Sequence, residues 1–569
     1  MIKQIFFIFF IFVSLLGVFY YPDRFTDRFF TSGMIWMGSI MGIMGMIIPF
    51  IVRKPVRFSG CTLGLLAGLT GVILYSGMTN HFSSQLFAWG MALVVFMVIL
   101  DNAVEWCSLR QVYILLALLS VAEALIGIAQ YMRLFERYHI ACPVTGTFEN
   151  PAGFSAYLAI CFPVVVYFIT RPSLIWKIGG WSVASILMIA IVLSGSRTGI
   201  LAIGMLVVIG IWRFWRIGYR FPYWGKVGGV ILGSIFLIAL YLLKKDSADG
   251  RVLVWRTSLE MFGDAPLLGH GPGSFSAKYM DYQADWIAGH PDERWEWLAD
   301  NVKHPFNEYL KIGVEYGIIG WVVIGLLMWR LVHSYRRSWP EEYPLYGGLL
   351  ALAICGLFSY PLNYPAIWVL AVLLIGLIGR KQTGMNVFGG FGSGIVVFIA
   401  VCLLIFTVYW KKAETEWYRI AHASLTGKTE EVLSDYRRLY GFMRQNPLFL
   451  YNYGAELHEI GHWEESVEIL KECSRNLNDT DVQMLLADNY LQQEDFIRAE
   501  QHYWRAARMC PNRFLPLYQL VKLYERTGRK KEALDLVRLI VGKPVKVPSY
   551  TIKKIKEEMQ GILLKEKSE

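Results

Sequence analysis

Thirteen apolar runs of roughly bilayer-crossing length crowd the first 410 residues, and they constrain this chain more than any other feature. A hydrocarbon core of about 30 Å takes about 20 apolar residues in a helix, because in lipid every backbone N–H and C=O has to be satisfied within the segment. The runs fall near 4–21, 33–52, 59–79, 83–100, 110–130, 152–170, 177–195, 198–215, 225–243, 307–332, 344–361, 364–380 and 391–410. Of the 569 residues, 55% are hydrophobic and only 18% charged, and most of the charge lies after residue 410 or in short loops. That pattern excludes an ordinary soluble enzyme, a disordered tail protein and a secreted disulfide scaffold. The predicted fold is all-α, a polytopic membrane bundle of 12–13 spans over 1–410 with a soluble domain at 411–569. The segment Met1 to Tyr20 carries one Lys and no small-residue cleavage site, so it reads as a retained helix rather than a signal peptide.

Loop charge gives the orientation. With a cytoplasmic N-terminus, the inner loops hold Arg53, Lys54, Arg57, Arg110, Arg171, Lys177, Arg213, Arg216, Arg220, Lys226, Arg336, Arg337, Arg380 and Lys381. The short outer loops hold only Arg24, Arg28, Arg133, Arg137 and Arg197. This bias accounts for the formal net charge of +10 without a nucleic-acid partner. It places the long loop 244–303 and the tail outside the cytoplasm, as expected of a multi-pass membrane protein. The eight cysteines are scattered with no metal-ligand spacing, so neither a metal, a cofactor nor a disulfide framework is expected.

From residue 413 the membrane composition stops and a period of about 34 begins: Ala499 and Ala533 are 34 apart, and Ser466 lies 33 before Ala499. Ala487, Tyr490, Ala499, Tyr503, Ala506 and Pro511 fall on the small, aromatic and proline positions of a tetratricopeptide repeat. Tyr524, Gly528 and Ala533 continue the register, and Gly454, Gly461 and Ser466 precede it. A helical-repeat (TPR) domain is therefore expected, with a concave groove suited to a protein partner or, equally, a spacer role.

The outer loop carries the densest chemistry. It holds Asp249-Gly250-Arg251, Trp255-Arg256 and Pro266-Leu267-Leu268-Gly269-His270-Gly271-Pro272-Gly273-Ser274-Phe275, and ends on Lys303-His304-Pro305-Phe306-Asn307-Glu308-Tyr309-Leu310-Lys311. His304, Asn307, Glu308 and Lys311 are spaced i, i+3, i+4, i+7, which predicts one helix face, with Pro305 in the first turn. Such a cluster binds an anion or activates a hydroxyl; otherwise it is a solvated cap. Arg197, within Ser194-Gly195-Ser196-Arg197-Thr198-Gly199, offers a guanidinium fork at a helix N-terminus, a phosphate-binding arrangement, or else snorkels at the interface. Glu123 is an intramembrane acid and a functional candidate by position, or a partner of a neighbouring helix. Trp286, Trp295 and Trp297 suit either sugar stacking or an interfacial belt.

Four of these segments resemble the O-antigen ligase and polymerase superfamily of bacterial membrane glycosyltransferases, which includes protein O-oligosaccharyltransferases. Thr145-Gly146-Thr147-Phe148-Glu149-Asn150-Pro151 is similar to the family's GTF-x-N, and Ser194–Gly199 to its S-x-SR-x-G. Arg251 to Trp255 with Pro266–Phe275 resembles R…W…PLLG-x-GPG-x-F, and His304–Gly320 resembles H-N-x-x-L…G-x-x-G. The family has its histidine directly before the asparagine, where this chain has Phe306; His304 stands two residues earlier. The resemblance implies a GT-C-like membrane bundle. It also implies transfer of a glycan from an undecaprenyl-diphosphate carrier to an acceptor hydroxyl of lipid A-core or protein, or of a growing polysaccharide. Arg197, Arg251, Ser196 and Lys311 then belong to the diphosphate side. His304, with Glu308 or Asn307, belongs to the acceptor side, as base and orienting groups. A lipid or sugar transporter is the rival of another class, and it predicts two-half symmetry that the sequence does not display.

Overall fold

The computed structural model describes residues 2–52, 55–79, 81, 83–138, 142–216, 245–338, 340–380 and 391–566. The candidate span at 225–243 lies outside them. Among the described residues the secondary structure is helical, and nine helices are long and apolar enough to cross a membrane. Three further apolar runs form shorter helices: Arg197–Gly210, Tyr343–Phe358 and Pro365–Gly379. The last two, of 16 and 15 residues, rise only about 22–24 Å at 1.5 Å per residue. Both are largely buried among other helices, so neither needs the full lipid-facing length.

Among the described residues, loop contacts fall into two groups; Arg53, Lys54, Arg220, Lys226 and Lys381 of the charge count lie outside those residues. At one end Asn102 exchanges hydrogen bonds with the Arg57 backbone, both at 2.9 Å. There too Arg171 pairs with Glu341 at 2.9 Å and Arg380 with Glu342 at 3.0 Å. At the other end Asn150 reaches Tyr360, Arg197 reaches Ser247, and His81 reaches Asn476.

The helix Glu308–Arg336 is not one rod. Gly317 has φ 63° and ψ −154°, and Trp321 Nε1 donates to the Tyr309 carbonyl at 2.8 Å. Twelve positions along a straight helix are about 18 Å apart, so the chain folds back at Gly317. The segment Pro266–Gly273 fills the break: Ile318 N donates to Pro266 O at 2.8 Å, His270 N to Val314 O at 2.8 Å and Gly271 N to Glu315 O at 3.1 Å. The expected span 307–332 is thus a short outer helix followed by a separate membrane helix.

One uninterrupted helix, Phe391–Leu425, leads out of the bundle. Three helical hairpins follow, their first helices beginning at Pro447, Thr480 and Leu515. Small buried residues sit where paired helices cross: Ala487, Ala499 and Ala533 are at most 4% exposed, and Ser466 Oγ donates to Gly454 O at 2.6 Å. Each hairpin turns through a left-handed residue, Gly461 (φ 79°), Glu494 (φ 59°) and Gly528 (φ 75°), the usual way to end a helix and free the chain to reverse.

Candidate functional site

The turn Ser359–Tyr364 gathers three of the four motif segments, which enter from distant parts of the chain, and the fourth, Ser194–Gly199, lies near Arg251. Asn150 begins the helix Pro151–Cys161 as its N-cap, its Oδ1 accepting from Ala152 N and Gly153 N. That leaves its Nδ2 to donate to Tyr360 Oη at 2.9 Å. The loop before it is braced from within the bundle. Glu123 accepts from Thr147 N at 2.8 Å and Thr147 Oγ1 at 3.0 Å, and Gln130 Oε1 accepts from Thr145 N and Gly146 N. Glu123 is therefore a strut for this loop, and no part of it reaches the Tyr360 cluster by a hydrogen bond.

The His304 imidazole stacks on the Tyr360 ring, centroids 4.7 Å apart at 28°. Phe306 meets the same ring edge-on at 5.4 Å, and the Arg251 guanidinium lies 5.3 Å over Phe306. The residue at the family's histidine position is thus an aromatic wall between Arg251 and Tyr360, while His304 supplies the imidazole. Phe306 adopts φ 53°, a left-handed conformation that costs a non-glycine residue about 1–2 kcal/mol. The approach is held by Trp255, whose Nε1 donates to Pro305 O at 2.9 Å.

The predicted helix face is corrected here. The helix begins at Glu308, and Asn307 is its N-cap, its Oδ1 accepting from Tyr309 N and Leu310 N, each at 3.0 Å. An Asn with an acid next to it out-competes an upstream proline for the start of a helix, because its side chain satisfies two orphan N–H groups. His304 and Pro305 consequently lie in the extended approach, and only Glu308 and Lys311 share the helix. Glu308 is buried, and its Oε1 accepts from Leu362 N at 2.8 Å, which ties the Tyr360 turn to this helix. Ser196 is also buried, its hydroxyl bonded to Ser155 at 2.6 Å. Arg197 is the first residue of its helix and reaches Ser247 Oγ at 3.1 Å.

The electrostatics favour an anion. Burial pulls Arg251 down to about 10, with the charge of Arg197 as the second cause, so two guanidinium groups repel across a common space. Burial, then the charges of Lys311 and Lys303, pull His304 down to about 3. The imidazole is neutral at pH 7, and its buried Nδ1 has no hydrogen-bond partner among the described residues. An anion between these groups would offset the repulsion among the cations and favour the protonated imidazole. No group of three or more His, Cys, Asp or Glu is placed to hold a metal ion among the described residues.

Tyr360 escapes a sequence reading because it looks like the end of an apolar run; the two prolines around it, Pro361 and Pro365, are the available signal. Two of the three loop tryptophans, Trp286 and Trp295, are accounted for by packing. Trp286 meets Trp295 edge-on at 5.5 Å beside Leu253 and Ile287, and Arg256 and Arg294 cover Trp295.

Comparison with known proteins places a family domain on this region. Residues 182–325, which contain Arg197, Arg251 and His304, match the family model described as O-Antigen ligase. The chain is also similar to a protein of Rickettsia conorii and one of Rickettsia felis, both named "Putative polysaccharide ligase". Each is 27% identical over 130 residues, 22% of this chain. The chain thus spans about 30% of the length of these relatives.

Proposed function

From the O-antigen ligase family domain at residues 182–325, we propose that the protein is a glycosyltransferase of the cell inner membrane. It moves a glycan from an undecaprenyl-diphosphate carrier to an acceptor hydroxyl of lipid A-core or protein on the periplasmic face. The observation that carries this reading is the meeting of Arg197, Arg251, His304 and Tyr360 at one end of the bundle. A lipid diphosphate is already a good leaving group, so the enzyme needs cations for the charge that develops and an acceptor for one proton.

Arg197 and Arg251 hold the diphosphate. The acceptor oxygen attacks the sugar carbon bonded to it, and that C–O bond breaks, the electron pair leaving with the lipid diphosphate. The hydroxyl proton passes to His304 Nδ1. An imidazole at about 3, held there by burial first and by Lys311 and Lys303 after it, is a weak base, but the incoming diphosphate supplies negative charge against those lysines. That raises its proton affinity only when donor is bound. Lys311 is half-buried between Glu308 and Glu315 and adds cationic charge to the same side. The hairpin array is read as a tetratricopeptide domain.

The test is the purified full chain in liposomes with a lipid-linked oligosaccharide and either lipid A-core or candidate acceptor proteins. Deleting the gene and probing lipopolysaccharide and glycoproteins in parallel names the acceptor. Donor that is never consumed with any acceptor sinks the reading. Cysteines placed at Asp292 and Lys428 should label from the periplasmic side.

A further inference from the structure

The approach to His304 is pinned from outside the membrane domain. Residues Ala299 to Lys303 form the extended segment that delivers His304, and little of their own secondary structure fixes them. Asn512, in the turn after the second hairpin, donates its Nδ2 to both Trp297 O and Ala299 O, and Lys546 Nζ reaches Ala299 O at 3.4 Å. Gln283 Nε2 joins Asp300 O at 3.1 Å to Met509 O at 2.7 Å. Asn301 Nδ2 donates to Asp479 at 3.2 Å and Asp481 at 3.3 Å, and Arg513 fixes Asp481 at 2.7 Å.

Beneath these bonds the two domains share a core. Met509 and Cys510 of the array are fully buried among Val254, Phe275, Tyr279 and Val314, residues of the loop helices and of the helix that follows His304. Arg505 grips Asp281 through both carboxylate oxygens, at 2.7 and 2.5 Å, a bidentate pair with fixed geometry. A spacer would meet the membrane domain through its connecting helix alone; this array also packs on the loop helix Ser274–Gly289, and the bonds of Asn512, Lys546 and Asp479 extend that attachment to the segment that carries His304.

We infer that the hairpin array is a positioning clamp for the site: through Asn512 and the residues beside it, the array sets the placement of the Ala299–Lys303 segment and hence of His304. Asn512 is a positioning residue and touches no reacting atom. The clamp itself stands on the contacts above; its kinetic consequence rests on the transfer reading.

The experiment uses the full chain with Asn512→Asp, which keeps the shape of the side chain and removes the donor. A paired variant, Arg538→Ala, breaks array ion pairs with Asp535 and Glu566 that have no contact with the loop. Amide hydrogen exchange needs no substrate and reads the clamp directly. Residues 299–306 should exchange at least tenfold faster in Asn512→Asp and at the wild-type rate in Arg538→Ala. In the transfer assay Asn512→Asp should lower kcat by roughly ten- to a hundredfold, the order that a misplacement of about 1 Å costs, with donor KM within about twofold. Unchanged exchange over 299–306 in Asn512→Asp overturns the clamp. So does faster exchange with an unaltered kcat, since His304 placement would then not depend on it. If the wild type transfers nothing, the function reading fails and exchange alone decides the clamp.

Discussion

Replacing Gly317 with alanine tests the fold-back on which the outer helix depends, and the sign of the result is diagnostic. In a continuous helix the change would add helix propensity and stabilise by about 1 kcal/mol. In the bent chain, an ideal Cβ on Gly317 would stand 2.4 Å from Leu267 O and 2.5 Å from Leu267 C, closer than real atoms come, and the partner is backbone that cannot swing aside. The backbone at φ 63° and ψ −154° is in a region essentially reserved for glycine and costs another residue about 1–3 kcal/mol. Relieving the clash displaces the Pro266–Leu267 carbonyls and with them the Ile318 N to Pro266 O bond at 2.8 Å, a further loss of about 1 kcal/mol. The expected destabilisation is roughly 2–4 kcal/mol. Gly325→Ala is the control, because nothing lies within 4 Å of its Cβ position on the same membrane helix. The assay is the thermal unfolding midpoint of both variants in one detergent. A Gly317→Ala protein that melts at or above the Gly325→Ala protein would refute the fold-back.

Four further outcomes are expected. Arg251→Lys and Arg197→Lys should each lose most transfer activity despite keeping charge, because an ammonium lacks the planar fork; membrane insertion, checked by protease protection, should be normal. Tyr360→Phe keeps the ring and removes the hydroxyl that accepts from Asn150 at 2.9 Å, and should cost several-fold in turnover, whereas Tyr360→Ala also removes the ring under His304 and should cost on the order of 10²-fold, both read in the same assay. His304 is depressed from 6.5 to about 3, so between those values the unfolded chain binds more protons and stability falls on acidification, by up to about 1.4 kcal/mol per pH unit; His304→Asn should flatten that slope in melts from pH 7 to pH 4. Glu494→Gly relieves the φ 59° strain at the second hairpin turn and should stabilise the array by about 1 kcal/mol, measured by denaturant unfolding.

Local signals in the sequence carried the all-helical membrane class and most of the apolar helices, and they named the segments that meet at the candidate site. Hydropathy, loop charge and short motifs each depend on neighbouring residues alone. What they could not supply was the meeting of those segments. Nothing near Asn150 announces Tyr360, more than two hundred positions away, and Gly317 within Gly-Ile-Ile-Gly reads as ordinary small-residue helix packing until the carbonyls of Pro266 and Leu267 are seen against it. The start of the helix after His304 was misread for a local reason: two helix-start signals, Pro305 and Asn307, lie two residues apart, and the side-chain cap wins over the ring constraint. The attachment of the array to the loop is invisible in sequence, because Asn512 and Arg505 look like any polar residues of a helical repeat.

The unbroken helix Phe391–Leu425 makes the angular phase of the array a fixed property of the chain. Its 35 residues extend about 52 Å, and each residue turns the chain by 100°. Inserting a single residue near Lys411 would therefore rotate everything beyond it by more than a quarter turn, carrying Arg505 and Asn512 away from Asp281 and Ala299. Seven inserted residues, close to two whole turns, would restore the angle and leave only an axial offset of about 10 Å. The domain junction thus behaves as a keyed shaft, and any transplanted array would have to match the phase of this helix as well as its own surface.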